Sequence, residues 1–108
     1  MEKWGAEAFR GDRLGRPGDW GVCFLADWCP FCRAYAPLFQ RLDGVAPFPL
    51  AVADVTDLES PLWDTFHIDV IPTLVAFRDG KAIWRKDGVP MVGLNAGDLD
   101  ELRKALAR

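Results

Sequence analysis

The chain has 108 residues, of which 50% are hydrophobic and 27% are charged, a composition typical of one soluble globular domain. Thirteen Lys and Arg against sixteen Asp and Glu give a net charge of −3, and the scattered basic residues argue against nucleic-acid binding. The longest apolar run, Trp20–Ala26, has seven residues, far fewer than the roughly 20 that a membrane-spanning helix needs.

The first half of the chain predicts a helix, a strand and a second helix. Residues Ala6–Leu14 have the composition of a short helix, which the Gly- and Pro-containing stretch after it would end. The run Trp20–Ala26 predicts a central strand that is buried on both faces. A longer helix is predicted over Pro30–Leu42, with Pro30 in its first turn. Its apolar residues recur at helical spacing and predict a buried stripe: Tyr35, Leu38, Phe39 and Leu42.

The second half predicts three strands and two helices. Strands are expected at Phe48–Val55, Thr73–Phe77 and Ala82–Arg85, and helices at Ser60–His67 and Asn95–Ala107. The Asp-Gly pair at 79–80 predicts a tight hairpin turn between the last two strands. Alternating strands and helices that end in a hairpin predict an α/β fold with a mixed sheet.

Three cysteines are too few, and odd in number, for a disulfide-stapled scaffold. Cys29 and Cys32 form a Cys-x-x-Cys motif where the predicted buried strand runs into the long helix. The amide end of a helix favours an anion, so Cys29 is the predicted nucleophile toward a substrate disulfide. Cys32, one turn further on, would then attack the sulfur of Cys29 and release the product. The same motif also occurs as half of a zinc site.

The motif and its surroundings resemble the thioredoxin family over most of the chain. The residues that carry the resemblance are Trp28-Cys29-x-x-Cys32, Ala36-Pro37, Asp54-Val55, Phe66-x-Ile68-x-x-Ile71-Pro72-Thr73, Asp79-Gly80 and a C-terminal amphipathic helix. The resemblance implies a thioredoxin fold, a central mixed sheet with helices on both faces, in a single domain over residues 1–108. It also implies thiol–disulfide oxidoreduction with Cys29 and Cys32 as the catalytic pair.

The resemblance implies further roles around this pair. Pro72 would follow a cis peptide bond and lie against the active-site cysteines, and the backbone of Ile71 would contact the substrate. The residues implied in substrate binding are Trp28, Pro30, Phe31, Ile71 and Pro72. No metal or organic cofactor is implied. The implied partners are disulfide-containing protein substrates and an electron donor, either a thioredoxin-reductase-like protein or a small thiol. A monomer without nucleic-acid or membrane partners is expected. We expect it in the cytoplasm because the first residues lack a secretory layout, or exported if a leader has been removed.

Three departures from the family pattern lead to further expectations. Pro30-Phe31 replaces the usual Gly-Pro, and a proline before an aromatic residue is typical of glutaredoxins, so the potential is expected a few tens of mV above the roughly −270 mV of thioredoxin. Cys23 stands where the family has a buried aspartate, and the stretch Val52-Ala53 is apolar where its lysine partner lies, which predicts slower resolution by Cys32. The loop from residue 88 to 97 is longer than usual, and either Gly88 or Gly93 is the glycine that lines the substrate groove.

Alternative interpretations remain at this stage. Cys23 is either a buried apolar residue or a third redox thiol. A zinc site would draw on Cys23, Cys29, Cys32 and His67, although the spacing lacks a second close pair. The alternative functions are an exported thiol oxidase or isomerase, a non-catalytic adaptor with this fold, and a metal-binding module.

Overall fold

The longest apolar run of the sequence forms the central strand of a five-stranded sheet. The computed structural model describes residues 1–108. Its strands are β1 (Glu2–Trp4), β2 (Phe9–Arg10), β3 (Arg13–Leu14), β4 (Asp19–Leu25), β5 (Leu50–Asp54), β6 (Thr73–Arg78) and β7 (Lys81–Asp87). Its α-helices are α1 (Pro30–Leu42), α2 (Leu62–Thr65) and α3 (Ala96–Ala105), and a 3-10 turn covers Ala6–Ala8. No helix combines the length and the apolar character needed to cross a bilayer.

The sheet is mixed, as predicted, with the strand order β1-β5-β4-β6-β7. Strands β1 and β4 pair with β5 in parallel, whereas β6 is antiparallel to both β4 and β7. Every residue of β4 after Asp19 is buried, which confirms the predicted central strand. In this register Cys23 lies between Val52 on β5 and Leu74 on β6.

Helices cover both faces of the sheet. Phe24 packs at 5.1 Å, between ring centroids, on Phe66, which ends α2. Gly21 has the opposite parity on the strand and therefore faces the other side. A Cβ at Gly21 would lie 3.1 Å from Leu102 of α3, so α2 and α3 lie on opposite faces. This arrangement confirms the expected fold of a mixed sheet between helices.

The helix predicted for Ala6–Leu14 is wrong. Only the 3-10 turn over Ala6–Ala8 is helical, and the rest forms a small antiparallel hairpin of β2 and β3. The chain reverses at Gly11 and Asp12, residue types that favour turns. Reversal at this point pairs Phe9 with Leu14 and buries both side chains. A continuous helix would not place these two apolar residues beside each other against the core.

Two local signals were confirmed. Asp79 and Gly80 both have positive φ, at 51° and 86°, in the turn between β6 and β7. Asn95 caps α3 in a reciprocal capping box with Asp98, in which each side chain accepts a hydrogen bond from the other residue's backbone N–H. The predicted helix over Ser60–His67 is shorter than expected and is reduced to α2.

Candidate active site

Cys29 occupies the N-cap of α1, where the central strand ends and the long helix begins. Its backbone is extended, with φ −90° and ψ 116°, and Pro30 takes the first helical position. The Sγ atom of Cys29 accepts a hydrogen bond from the backbone N–H of Cys32 at 3.3 Å. A sulfur that carries negative charge gains from this donor and from the helix dipole.

The other wall of the site is the segment before β6. The Ile71–Pro72 peptide bond is cis, as the resemblance implied. The carbonyl oxygen of Ile71 lies 3.8 Å from the Cys29 Sγ. The two predicted substrate-contacting residues of this segment therefore border the predicted nucleophile, although 42 positions separate Cys29 from Ile71 in the chain.

Cys32 lies one turn into α1 and is only 2% exposed. Burial, with a smaller contribution from the hydrogen bond to Cys29, raises the pKa of Cys32 to about 12. Burial disfavours the thiolate because the charge loses its hydration. The Cys32 thiol consequently keeps its proton in neutral solution, whereas the helix terminus presents its donors to Cys29.

Cys23 lies behind Cys32 within the sheet and is fully buried. Burial raises its pKa, and a negative charge on Cys32 raises it further. Its register partners, Val52 and Leu74, carry no charge. The layer behind the two active-site cysteines is therefore apolar where the resemblance would place an acid and a lysine.

Trp28 forms the exposed side of the site. It is 48% exposed, its Nε1–H donates to the carbonyl oxygen of Thr56 at 2.9 Å, and its ring stacks on Trp63 with centroids 6.4 Å apart. The hydroxyl oxygen of Thr56 also accepts a hydrogen bond from the backbone N–H of Asp27 at 3.0 Å. The sequence carried no signal for the roles of Thr56 and Trp63, because these contacts join segments that are distant along the chain.

Both candidate glycines of the long loop contact the site. The N–H of Gly88 donates to the carbonyl oxygen of Pro72 at 3.0 Å, and a Cβ at Gly88 would lie 2.7 Å from that oxygen. Gly93 has φ +85°, and a Cβ there would lie 3.3 Å from the Cβ of Phe31. Gly88 therefore supports the cis-proline segment, and Gly93 packs on the Cys-x-x-Cys motif.

A pocket of about 210 Å³ lies between α1 and the edge of the sheet, and Cys32 is one of its lining residues. Lys3 and Asp54 also line it and form an ion pair of 3.8 Å between Nζ and Oδ2. Burial alone would raise the pKa of Asp54, but hydrogen bonds from Thr56 and the charge of Lys3 hold this pKa below its usual range. The sequence did not reveal this pair because Lys3 lies on β1, which was not predicted.

The four residues of the zinc alternative do not come together. No group of three or more His, Cys, Asp or Glu side chains is arranged to hold a metal ion. His67 is exposed and lies on the α2 face, where it follows Phe66 of the aromatic core. Cys29 and Cys32 therefore have no third His, Cys, Asp or Glu side chain placed to bind a metal ion with them.

The comparisons with known proteins agree with this geometry. A family model described as Thioredoxin matches residues 8–97. A thioredoxin of Chlamydia muridarum is 31% identical over 87 residues, which cover 81% of this chain and 78% of the relative. A probable protein disulfide-isomerase A4 of Caenorhabditis elegans is 37% identical over 67 residues, which cover 62% of this chain but only 11% of that longer protein. The crystal structure of the reduced thioredoxin pre-protein of Schistosoma mansoni has a TM-score of 0.69 and 25% identity, and the match covers 84% of this chain and 81% of that one.

The match to the family model spans most of the chain and includes both cysteines of the motif and the cis-proline segment. The fold, the strand-to-helix position of the cysteines and the two relatives lead to the same assignment. The chain belongs to the thioredoxin family of thiol–disulfide oxidoreductases.

Proposed function

We propose that this domain, residues 1–108, reduces disulfide bonds in protein substrates, with Cys29 as the nucleophile and Cys32 as the resolving thiol. One observation carries the proposal: the Cys29 Sγ sits at the N-cap of α1 and accepts the Cys32 N–H, while Cys32 itself is buried and holds its proton. The two thiols thus have different environments that suit two successive steps.

The reaction consists of two disulfide exchanges. The Cys29 thiolate attacks one sulfur of the substrate disulfide, forms a Cys29–substrate disulfide and releases the other substrate sulfur as a thiolate that takes up a proton. Cys32 then loses its proton and attacks the Cys29 sulfur. This second step forms the Cys29–Cys32 disulfide and releases the second substrate thiol. The substrate gains two electrons from the protein and two protons, one from Cys32 and one from solvent.

The oxidised protein must be reduced again by an external dithiol or thiol. A thioredoxin-reductase-like protein and a small thiol are the two proposed donors, and the reaction itself needs no metal or organic cofactor. We place the protein in the cytoplasm as a monomer, where a reducing thiol pool maintains the dithiol. Trp28, Pro30, Phe31, Ile71 and Pro72 are the proposed substrate contacts. The first three lie within two residues of Cys29 in the chain, and the last two form the cis segment whose Ile71 carbonyl oxygen lies 3.8 Å from the Cys29 sulfur.

A second candidate function is thiol oxidation or isomerisation. The Pro-Phe pair between the cysteines and the resemblance to a protein disulfide-isomerase favour it. Equilibration of the purified protein with glutathione buffers distinguishes the two. A potential near −270 to −200 mV supports the reductase, and one near −180 mV or above supports the oxidase or isomerase.

Reduction of insulin in the presence of dithiothreitol tests the proposal. Cys29→Ser is expected to abolish acceleration, and Cys32→Ser is expected to accumulate a Cys29–substrate disulfide that mass spectrometry detects. Cys23→Ala is the matched control and is expected to keep the activity; its loss would instead support a third redox thiol. Activity that is unchanged in both Cys29→Ser and Cys32→Ser would show that these cysteines are not catalytic and would favour the non-catalytic adaptor. Stoichiometric zinc in the purified protein would favour the metal-binding module.

A further inference from the structure

Exposed apolar side chains concentrate around the Cys29 sulfur. Eight large hydrophobic residues of this chain are exposed. Five of them belong to segments that adjoin the site: Trp28 precedes Cys29, Leu58 follows the Asp57 that is hydrogen-bonded to Trp63, and three lie in the turn 89–93 that is fixed to Pro72 and Phe31. We call these five the docking rim: Trp28, Leu58, Val89, Met91 and Val92. Apolar surface that is gathered at one place on a small domain marks a site of protein contact.

One side of the docking rim is a tight turn that projects beside the motif. The backbones of Val89 and Gly93 exchange two hydrogen bonds, of 3.0 and 2.8 Å, which close the turn. Gly93 packs on Phe31 of the Cys-x-x-Cys motif, and the N–H of Gly88 is hydrogen-bonded to the carbonyl oxygen of Pro72. The turn is therefore fixed both to the motif and to the cis-proline segment. Met91, at its tip, is 84% exposed and has φ 63°, a conformation that is costly for a residue other than glycine.

The other side of the docking rim is acidic. Leu58 lies between Asp57 and Glu59, and the carbonyl oxygen of Asp57 accepts the Nε1–H of Trp63 at 3.1 Å, beneath the Trp28 ring. Asp27, Asp57 and Glu59 are all exposed, and none takes part in an ion pair.

The charge imbalance extends beyond these three carboxylates. Between Arg41 and Arg78 the chain has six Asp and Glu and no Lys or Arg. Two cations lie on this side: Arg33, whose guanidinium donates to the backbone carbonyl of Asp27 at 3.2 Å, and Lys3, which lines a pocket with Asp27 but is paired with Asp54. Because Asp54 neutralises Lys3, Arg33 alone faces the three carboxylates without an ion-pair partner, which leaves a negative potential on the Trp28 side of the site.

We propose that the docking rim selects a cationic polypeptide segment that carries the disulfide. Lys or Arg residues on one side of the substrate cystine face Asp27, Asp57 and Glu59, and an apolar side chain on the other side packs on Met91 and Val92. The inference rests on the proposed reductase function, because the two sides adjoin the Cys-x-x-Cys motif at Trp28 and at Phe31, and the Cys29 sulfur defines where the substrate disulfide must be.

Charge complementarity at exposed sites acts mainly on encounter and falls with added salt. Three surface carboxylates give a modest preference, on the order of fivefold in kcat/KM for a cationic over an anionic peptide at low ionic strength. The ratio of the two kcat/KM values is expected to approach one, which means no preference, at about 0.5 M salt, because the screening length then falls well below 10 Å.

The test uses two disulfide-bonded peptides that are identical except for Lys and Arg, or Asp and Glu, beside the cystine. The peptide preference of the wild-type protein is compared with that of Asp57→Asn/Glu59→Gln, in which the preference is expected to fall at least twofold. Asp100→Asn/Glu101→Gln removes two exposed acids of α3 and is the matched control; it is expected to keep the wild-type preference. Met91→Ser/Val92→Ser is expected to slow both peptides equally.

Bis(2-hydroxyethyl) disulfide, which is small and neutral, is used as a third substrate. Its reduction tests the proposed reductase function without testing the preference for a cationic peptide. If the wild-type protein does not reduce this probe or either peptide, the proposed function fails. If it reduces the probe but treats the peptides equally, prefers the anionic one, or keeps its preference in Asp57→Asn/Glu59→Gln, the proposed cationic partner is wrong. An undiminished rate in Met91→Ser/Val92→Ser overturns the apolar half of the proposal.

Discussion

Cys23 and Val52 lie opposite each other in register on the neighbouring strands β4 and β5, and neither carries a charge. Cys23 is close enough to Cys32 for a charge on one thiol to raise the pKa of the other. In the pattern that the family resemblance implied, the position of Cys23 holds an aspartate and the stretch Val52-Ala53 holds its lysine partner. The two substitutions are mutually consistent, since removing only one member would leave an unpaired buried charge.

Introducing an acid at this position is therefore expected to destabilise the fold. Cys23→Asp should lower the free energy of unfolding at neutral pH by about 3–5 kcal/mol, the cost of an uncompensated buried charge. Burial raises the pKa of such a carboxyl above its unfolded value of roughly 3.9, so the loss should grow as pH rises from about 4 to 8. Urea unfolding at several pH values measures it.

Two companion variants make this test specific. Cys23→Asn has nearly the same shape as Cys23→Asp but cannot ionise, so its destabilisation should not depend on pH in that range. Adding Val52→Lys to Cys23→Asp should recover part of the stability at pH 8. Cys23→Asp should also alter the pH profile of turnover, and an unchanged profile would show that this position does not influence the proton of Cys32.

The raised pKa of Cys32 predicts that resolution of the mixed disulfide accelerates with pH. Burial, the largest cause of the raised pKa, persists when Cys29 is in the mixed disulfide, so the reactive thiolate fraction of Cys32 should increase close to tenfold per pH unit over the range from 6 to 8. Stopped-flow Trp fluorescence of a preformed Cys29–peptide disulfide measures the step directly. A rate that reaches a plateau below pH 8 would contradict the prediction, because it would mean that a nearby group takes the proton.

Asp19 joins the start of β4 to β6 and to the C-terminus. Its carboxylate accepts two hydrogen bonds from Arg78, at 2.9 and 3.1 Å, and two from Arg108, at 3.0 and 3.2 Å. These contacts hold the pKa of Asp19 far below its usual range. Asp19→Asn is expected to lower the free energy of unfolding at pH 7 by on the order of 1 kcal/mol.

The pH dependence of that effect has a definite sign. A carboxyl with a depressed pKa stabilises the fold at pH values above its unfolded pKa of roughly 3.9, and the contribution is lost as pH falls below it. The difference in stability between the wild-type protein and Asp19→Asn should therefore shrink steadily as pH falls below about 4. Arg108→Gln serves as a control. Arg108 is more exposed than Arg78, so removing it should lower the free energy of unfolding by less than Asp19→Asn does.

Met91 predicts a stabilising substitution. Its φ of 63° lies in the left-handed region, where asparagine is more favourable than methionine. Because the side chain is exposed, Met91→Asn should raise the free energy of unfolding by about 0.5–1 kcal/mol without loss of core packing. Thermal unfolding measures it. Val92→Asn, at a neighbouring exposed position whose φ is not positive, should bring no gain, and equal gains in both variants would exclude the backbone explanation.

The elements that could be predicted from the sequence are those with strong local patterns. The bounds of α1 agree with the predicted Pro30–Leu42, because an N-terminal proline and an apolar stripe mark this helix. The Asp79-Gly80 turn and the Asn95 cap were also predicted, since both depend on the chemistry of one or two residues. The missed elements, β1 and the hairpin of β2 and β3, have two or three residues each, and only pairing with distant segments stabilises them.

The reactive groups of this protein could be identified from the order of its residues: two cysteines at a strand-to-helix junction, a proline after Ile71, and a third cysteine where a buried acid was expected. The surroundings of these groups depend on the folded arrangement. It brought Ile71 to the Cys29 sulfur, stacked Trp28 on Trp63 beside Asp57, and set both Gly88 and Gly93 against the site. Such contacts join residues far apart in the chain, and their existence depends on packing, which local patterns do not encode.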